Sequence, residues 1–442
     1  MMEPLIFLLM GGAGIGFGLL HSRGRVRRWQ AAAVSCGLKI ARQSTFLRPT
    51  LEASAGEVGV RIETCGNKGR LTRITIKAPE PWRGFNNVSL RPEVIVTWPR
   101  QIEIGDPSFD STFVIDGPLW PVLAAFDAET RGLLQRVQAE SRVELSSGQL
   151  RAQMADRKVV EVLPLLLELN RRFARPLNLA QRLAENAGHD REPGVRLQNL
   201  LVLIRELPEA PATAEALRTA CSDLSPAIRL QAARELGAEG HGVLLGVAED
   251  LQDDASSAQA VAALGRELPF ERTKDLLDRA LSRYRWQTAH ACLKALALHG
   301  AVAVEILAKM LEDDDSQLAL TAAQALGDTG SPAAEPPLIQ ALQREQKALQ
   351  VAAAEALGRV GTVAAVLPLE EAAGGLFPGE LRRAARQAIA EIQARLEGAS
   401  PGQLSLAGAG AGQLSLAEGK GGELSLAEDP SGRLSLQGGE ET

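Results

Sequence analysis

A short pattern that recurs six times between residues 232 and 389 constrains the fold of this chain more than any other feature. Each copy ends in a large branched residue, and successive copies are 28 to 32 residues apart. A unit of roughly 30 residues cannot bury a core alone, so such units stack on their neighbours. The pattern therefore predicts an all-α solenoid over residues 190–397. The branched column consists of Leu236, Leu264, Leu296, Leu326, Leu357 and Ile389.

The residue four positions before each member of the branched column predicts how the repeats pack. It is alanine in five copies and Cys292 in the other, and this set forms the small column. Residues four apart share one helix face, so every second helix presents a small and a branched residue to its neighbours. Helices packed in this way need few aromatic side chains, which make up only 4% of the chain. Glycine follows the branched column in four copies, which predicts left-handed helix ends at Gly237, Gly265, Gly327 and Gly358.

The repeats resemble HEAT repeats of the short kind that is also found in bilin lyases. The motif of that family has an aspartate ahead of a Val-Arg pair, and Asp223 with Ile228-Arg229 matches it. Asp190 with Val195-Arg196 indicates a degenerate copy upstream that caps the stack. The resemblance implies stacked helical hairpins and, for most proteins of this kind, binding to other proteins. The arginine of the motif is replaced in four copies, which breaks the Asp–Arg ladder, at Ser257, Ala289, Ala319 and Gln350.

Polar residues of the second helices lie off the core face and form the candidate partner-binding surface. Solenoids use the inner surface of such helices for recognition. The alternative is an ordinary solvated helix face. The candidate residues are Arg229, Arg234, Lys294, Gln324, Glu355, Arg382 and Arg386.

The N-terminus carries a candidate transmembrane helix at residues 4–20. This run has no charged residue and would cover about 25 Å as a helix, near the short end of a bilayer span. Arginines follow it directly, and only Met-Met-Glu precedes it, the reverse of a cleaved signal. We therefore expect a single-pass anchor in the bacterial inner membrane, with the body of the chain in the cytoplasm. The flanking arginines are Arg23, Arg25, Arg27 and Arg28.

Two further roles for this segment remain open. The steps Gly12 to Gly16 and Gly14 to Gly18 are G-x-x-x-G patterns that would allow a homodimer, although glycine is common in membrane helices. One role for the arginine cluster is to attract anionic lipid, and the other is to set the topology of the anchor. The two roles are compatible.

Residues 29–180 predict an α+β domain with a mainly antiparallel sheet. Alternating apolar residues on either side of the turn Gly66–Gly69 predict a β-hairpin at 58–62 and 74–76. Strands that come in runs and are followed by helices are typical of this fold class. The layout resembles an uncharacterised bacterial membrane-anchored domain without a known activity. The other predicted elements are helix Trp29–Ala41, strands Val94–Trp98, Gln101–Ile104 and Thr112–Ile115, helices Leu119–Glu140 and Lys158–Phe173, and a hairpin of Arg142–Leu145 with Gln149–Gln153.

The sequence predicts no catalytic, cofactor or metal site. The 29–180 region contains no histidine, and no phosphate-binding loop or H-E-x-x-H motif occurs in the chain. Asp106 and Asp110 form the one candidate carboxylate pair, but Gly-Asp-Pro favours a capped turn over a Mg²⁺ site. The four cysteines lie far apart, which is typical of buried reduced thiols. A net charge of −6 argues against nucleic acid as a partner.

Residues 398–442 repeat a G-x-L-S-L unit four times at a spacing of ten residues. Segments of this composition are expected to be disordered in isolation. The four copies would provide avidity for a partner, serve as a duplicated spacer, or coil into a small β-solenoid.

The leading functional prediction is a membrane-anchored scaffold or adaptor whose solenoid binds a protein partner. One alternative is an enzyme or enzyme subunit of the bilin-lyase-like class, which the resemblance implies. Another is an envelope structural protein, which would require the body of the chain to lie outside the membrane.

Overall fold

The computed structural model of the chain describes residues 22–45, 48–66, 70–77, 87–93, 102–175, 178–374 and 379–395, and the backbone of 404–406 and 414–416. The chain forms two compact units, Met1–Ile228 and Arg229–Thr442. The division therefore lies inside the region 190–397 that the repeat pattern assigns to the solenoid.

The first unit contains an eight-stranded sheet whose neighbouring strands are antiparallel, in the order β1-β2-β3-β4-β8-β7-β5-β6. The elements are α1 (22–35), β1 (Lys39–Ser44), β2 (Thr50–Ala55), β3 (Val58–Cys65), β4 (Leu71–Lys77), β5 (Ser89–Pro92), α2 (Pro107–Asp110), β6 (Phe113–Asp116), α3 (Leu119–Ala125), α4 (Ala128–Glu140), β7 (Arg142–Ser146), β8 (Gln149–Ala155), α5 (Val159–Phe173), α6 (Leu179–His189), α7 (Pro193–Glu206) and α8 (Pro211–Ala220).

The two predicted hairpins form the middle of this sheet. Ile62 of β3 lies opposite Ile74 of β4, and Ile74 in turn lies opposite Ala152 of β8. All three side chains are buried, and α5 packs against β4 and β8. Alternation with a period of two thus places one face of these strands against a helix, as the sequence predicts.

Three predicted elements of this unit have different bounds. The helix predicted at Trp29–Ala41 already ends at residue 35, and β1 begins at Lys39. Gly37 adopts a φ of 73°, and the N–H of Leu38 donates to the carbonyl of Ala33, which are features of a Schellman helix end.

The strand predicted at Gln101–Ile104 is wrong for residues 102–104, which belong to no strand; residue 101 and the strand predicted at Val94–Trp98 lie outside the described residues. The helix predicted at Leu119–Glu140 is two helices, α3 and α4. Asp127 interrupts it, because its carboxylate accepts a hydrogen bond from the N–H of Thr130 at 2.8 Å and caps α4.

In its described residues, the second unit consists of paired helices, apart from the two short strands of the tail. α9 (Pro226–Leu236) crosses the division, and the helices after it are α10 (His241–Asp250), α11 (Asp254–Leu264), α12 (Phe270–Ser282), α13 (Trp286–Ala297), α14 (Val304–Leu311), α15 (Ser316–Asp328), α16 (Glu335–Leu342), α17 (Lys347–Val360), α18 (Val366–Ala373) and α19 (Glu380–Arg395).

The repeat columns form the core of the helix stack. All six members of the small column are fully buried. The branched column is buried at Leu264, Leu296, Leu326 and Leu357, whereas its first and last members, Leu236 and Ile389, are half-buried. The helices that carry these columns pack side by side, α11 on α13, α13 on α15, α15 on α17 and α17 on α19. A stack of this kind is what the pattern predicts.

Polar side chains take over where the Asp–Arg ladder is broken. Ser257 donates to the carbonyl of Val247 at 3.0 Å, and Gln350 donates to the carbonyl of Leu342 at 3.0 Å. Arg229 has no aspartate at the next ladder position and pairs with Asp250 at 2.7 Å instead. Local hydrogen bonds thus replace the ladder at Ser257 and Gln350, alanine fills the buried positions 289 and 319, and the stacking persists.

Two of the four copies in the tail pair with each other. β9 (Leu404–Leu406) and β10 (Leu414–Leu416) are antiparallel, with Ser405 opposite Ser415. This pairing differs from the disorder expected for the segment and from the parallel coils of a β-solenoid. The other tail residues lie outside the described part of the chain.

Candidate partner-binding groove

Close packing of α15, α17 and α19 forms one continuous surface in the second unit. A Cβ atom at Gly327 would lie 2.8 Å from the Cα atom of Ala356, and a Cβ atom at Gly358 would lie 3.1 Å from the Cα atom of Ala388. The first contact is shorter than packing allows and the second is unusually tight, so Gly327 requires glycine and the space at Gly358 favours it. The prediction of left-handed helix ends is correct for Gly237 and Gly265 and wrong for these two glycines, which lie inside their helices.

A groove with a volume of about 850 Å³ runs along these helices and the end of α18. Its size is in the range of sites that bind small molecules or short peptide segments. The lining residues are Leu320, Gln324, Lys347, Ala348, Gln350, Val351, Ala352, Glu355, Ala372, Ala373, Gly379, Glu380, Leu381 and Arg382.

The groove has an apolar floor and a charged rim. Leu320, Val351 and Leu381 remain half-buried, so their surfaces are available to a ligand. Lys347 and Glu380 are exposed at the rim. An apolar centre inside a polar rim is the usual composition of a protein interface.

Arg382 has an unsatisfied polar group in the groove. Its side chain is half-buried, and its Nε atom is shielded from solvent without a hydrogen-bond partner. A shielded N–H group without an acceptor is unfavourable, and a bound carboxylate or carbonyl oxygen would satisfy it. Arg382 therefore favours a ligand that brings an acceptor to this end of the groove.

The seven predicted partner-binding residues divide into three sets. Gln324, Glu355 and Arg382 line the groove together. Arg229 forms the ion pair with Asp250 described above. The others are exposed on α9, α13 and α19 outside the groove, namely Arg234, Lys294 and Arg386. A partner-binding role for any of the seven stays a prediction.

Sequence reasoning missed the apolar floor. Leu320 and Val351 lie six positions before the branched column, where the copies on either side of this pair have His290 and Arg383. The signal available in the sequence was that this position is apolar in two successive copies and polar in the copies before and after them. His290 itself is hydrogen-bonded to the hydroxyl of Thr321 at 2.8 Å, and burial lowers the pKa of its imidazole.

A second cavity, of about 270 Å³, lies between α14 and α16. It is lined by Glu305 and Lys309, which pair with each other at 3.0 Å. The mutual pairing leaves these charges less available to a ligand, and the cavity is smaller than the groove.

In the first unit, Asp106 and Asp110 are structural residues. Asp106 caps α2 and pairs with Arg131 at 2.8 Å, and Arg131 also forms two hydrogen bonds of 2.9 Å with Asp190. Asp110 accepts from the N–H groups of Ile104 and Gly105. The predicted capped turn is therefore confirmed.

Burial has different consequences for these charges. Burial raises the pKa of Asp110. The hydrogen bonds from the N–H groups of Ile104 and Gly105 lower this pKa and only partly oppose the effect of burial. Burial alone would lower the pKa of Arg131, but its hydrogen bonds and charge interactions with Asp190 and Asp106 outweigh this effect and raise the pKa. In the described part of the chain, no three His, Cys, Asp or Glu residues cluster as metal ligands.

One arginine of the predicted cluster, Arg28, forms an ion pair inside the first unit. Arg28 donates from Nε to Asp156 at 2.9 Å, and the indole N–H of Trp29 donates to the same carboxylate at 2.7 Å. Arg23 and Arg27 are exposed. None of the described helices is both long and apolar enough to cross a bilayer, and the predicted anchor at residues 4–20 lies outside the described residues.

The four thiols are free, as expected from their spacing. Cys292 is buried, which raises its pKa to about 12. Cys36, Cys65 and Cys221 are half-buried rather than buried, and burial raises the pKa of each to a lesser extent.

Comparison with known proteins supports the repeat assignment. A sequence profile of HEAT repeats matches residues 303–390, which include α15 and α17. Residues 303–390 of the helical stack are therefore similar to HEAT repeats. No curated protein matches the chain.

Two crystal structures of engineered proteins are similar over part of the chain. One is 18% identical and covers 62% of this chain and 83% of its own, with a TM-score of 0.29. The other is 21% identical and matches 51% of this chain and 91% of the engineered protein, with a TM-score of 0.24. Structural similarity with TM-scores this low carries no argument about function.

Proposed function

We propose that this chain is a membrane-anchored scaffold whose HEAT-like helices bind a segment of a protein partner in the groove of α15, α17 and α19. The observation that carries the proposal is the groove itself, with its half-buried apolar floor and the unsatisfied Nε of Arg382. Burial of the floor by a partner would provide the hydrophobic contribution to affinity, and Arg382 would fix the orientation of the bound segment.

The second part of the proposal is the location of the chain. Residues 4–20 anchor it in the bacterial inner membrane, and the arginines after them keep both units in the cytoplasm. Arg23 and Arg27 are exposed and available to lipid headgroups, whereas Arg28 is paired with Asp156. A homodimer through the glycines of residues 11–18 is compatible with this arrangement.

Site-specific photo-cross-linking of the full chain tests the groove. A photoreactive phenylalanine analogue at Ala348, an exposed lining residue, is expected to form a defined adduct with one protein in cells. The matched control carries the same analogue at Glu305, which is exposed on α14. The same adduct from both positions, or none from Ala348, would contradict the proposal.

Membrane fractionation tests the anchor separately. The full chain is expected to stay in the membrane pellet after carbonate extraction, and a chain that lacks residues 4–20 is expected to leave it. Protease added to spheroplasts should not reach the C-terminus. Digestion from outside would place both units beyond the membrane and favour an envelope structural protein.

We propose no catalytic step for either unit. After purified chain is mixed with a bilin, the protein peak from gel filtration is expected to show no visible absorbance. An absorbance band that stays with the protein on gel filtration would instead support the enzyme class that the repeats resemble.

A further inference from the structure

An exposed pair of aromatic rings lies where the loop after α12 enters α13, with Tyr284 in the loop and Trp286 as the first residue of α13. Tyr284 is 74% exposed and Trp286 is 41% exposed, and their ring centroids lie 5.9 Å apart in an edge-to-face arrangement. Tyr284 is the only tyrosine of the chain. Large aromatic side chains lose solvent contact when they pack against a partner, and they dominate the energetics of many interfaces.

The backbone at Tyr284 shows that this residue is unfavourable for local stability. Its φ is 56°, in the left-handed region. The N–H of Arg285 donates to the carbonyl of Ala280 and that of Tyr284 to the carbonyl of Leu281, so α12 ends in a Schellman motif. The same two bonds end α1, where Gly37 occupies the corresponding position. Glycine adopts this conformation without strain, whereas tyrosine does not.

Arginines flank the rings along the chain, at Arg283 and Arg285. Residues 279–286 contain three arginines and no acidic residue. Arg283 is exposed, and neither Arg283 nor Arg285 pairs with a carboxylate in the part of the chain that the structure describes. The Nε of Arg285 is shielded and lacks an acceptor.

An acidic side chain of the neighbouring repeat, Asp254, is already occupied at the start of α13. Asp254 accepts hydrogen bonds from the N–H of Thr288 at 2.9 Å and from its hydroxyl at 2.7 Å, and thereby caps α13. The two arginines of the loop are therefore left to a carboxylate from outside the chain.

From these observations we propose that Tyr284, Trp286, Arg283 and Arg285 form a second binding site, separate from the groove, for an extended acidic peptide segment of a protein partner. The rings pack against apolar residues of the segment, and the two guanidinium groups bind its carboxylates by charge-assisted hydrogen bonds. The site needs no contribution from α15, α17 or α19, so it stands or falls independently of the groove.

The test uses the full chain in mild detergent and a fluorescein-labelled peptide of five Glu-Pro repeats, which stays extended and presents alternating carboxylates and apolar rings. Fluorescence anisotropy is expected to show saturable binding that weakens as salt is raised. A peptide of five Lys-Pro repeats is the charge control and should not bind. Equal binding of both peptides, or binding of neither, would overturn the proposal.

Two variants separate binding from folding. Tyr284→Gly is expected to abolish binding of the Glu-Pro peptide while the thermal midpoint of the second unit stays constant or rises, because glycine relieves the strained backbone. Arg283→Glu should weaken binding at least tenfold. Arg266→Glu is the control. It makes the same charge change at an exposed site just after the C-terminal end of α11, whereas Asp254, at the N-terminal end of α11, contacts the start of α13. This variant should leave binding unchanged. Retained affinity in Tyr284→Gly, or equal losses in the two arginine variants, would contradict the proposed site.

A single-stranded oligothymidine of ten nucleotides distinguishes the remaining possibility, since exposed rings and arginines also bind unpaired bases. We expect it to bind at least tenfold more weakly than the Glu-Pro peptide. Tighter binding of the oligonucleotide, lost in Tyr284→Gly, would replace the proposed peptide with nucleic acid.

Discussion

The two units of this chain are stabilised by different means. In the first unit Trp29, Phe109 and Phe126 are fully buried, and Arg131 joins Asp106 and Asp190 in the interior. In the described part of the second unit, no aromatic side chain is buried, and alanine fills the contacts between helices. The first unit therefore depends on a few large or charged groups, whereas the second depends on many small ones that must stay small.

The largest effect is expected from the charged interior of the first unit. Arg131→Met leaves Asp106 and Asp190 buried without their partner, which should lower the free energy of unfolding by about 3–5 kcal/mol. Four of the five tryptophans lie in this unit, so tryptophan fluorescence during urea unfolding follows it. Arg61→Met, which removes an exposed pair with Glu63, should cost at most about 1 kcal/mol. Similar losses in the two variants would contradict the claim that the buried charges of Arg131, Asp106 and Asp190 stabilise the first unit more than its exposed ion pairs do.

Overpacking of the second unit is the next largest effect. Gly327→Ala places a methyl group against the backbone of Ala356 and should lower the free energy of unfolding by about 1–3 kcal/mol. Circular dichroism at the helix band measures this change.

Gly246→Ala is the matched control for that substitution. Gly246 lies inside α10, and no atom is within 4 Å of its added Cβ. The same change should therefore stabilise the unit by about 0.5–1 kcal/mol. Effects of the same sign in both variants would show that close helix packing does not set the requirement for glycine.

The smallest effect concerns pH. Burial lowers the pKa of His290 below its ordinary value of 6.5, and the facing charges of Asp315 and Asp254 on one side and Lys294 on the other partly cancel. A folded-state pKa below the unfolded value means that the contribution of this group to stability is complete above pH 6.5 and is lost as pH falls through the folded value. The second unit of His290→Gln should therefore lose less stability between pH 7 and pH 5 than the original chain, as measured by thermal midpoints. Identical pH profiles would rule out this contribution.

The sequence predicts the helix stack well because its constraints are periodic. A small and a branched residue four positions apart recur in every copy, and all six small positions are buried in the structure. The glycines after the branched column were harder to interpret. The same residue ends a helix at Gly265 and lets two helices approach at Gly358, and only the position of the neighbouring helix distinguishes these roles.

The interior of the first unit and the groove were not predictable in the same way. Arg131 and Asp190 are 59 residues apart, and although Asp190 fits the repeat motif, Arg131 belongs to no repeating pattern. The groove depends on residues such as Leu320 and Val351, which are apolar at a position where the flanking repeats are polar. Departures from a repeat consensus indicate function only when the stack shows that they lie side by side.

The most direct test of the account is the dissociation constant between the full chain and the protein cross-linked at Ala348. Val351→Glu places a charge on the half-buried floor of the groove and should weaken binding at least tenfold, whereas Glu305→Arg, on α14, should change it less than twofold. This result would identify the groove as the binding site. Equal affinities for the original chain and Val351→Glu would contradict that claim and leave the helix stack as a spacer.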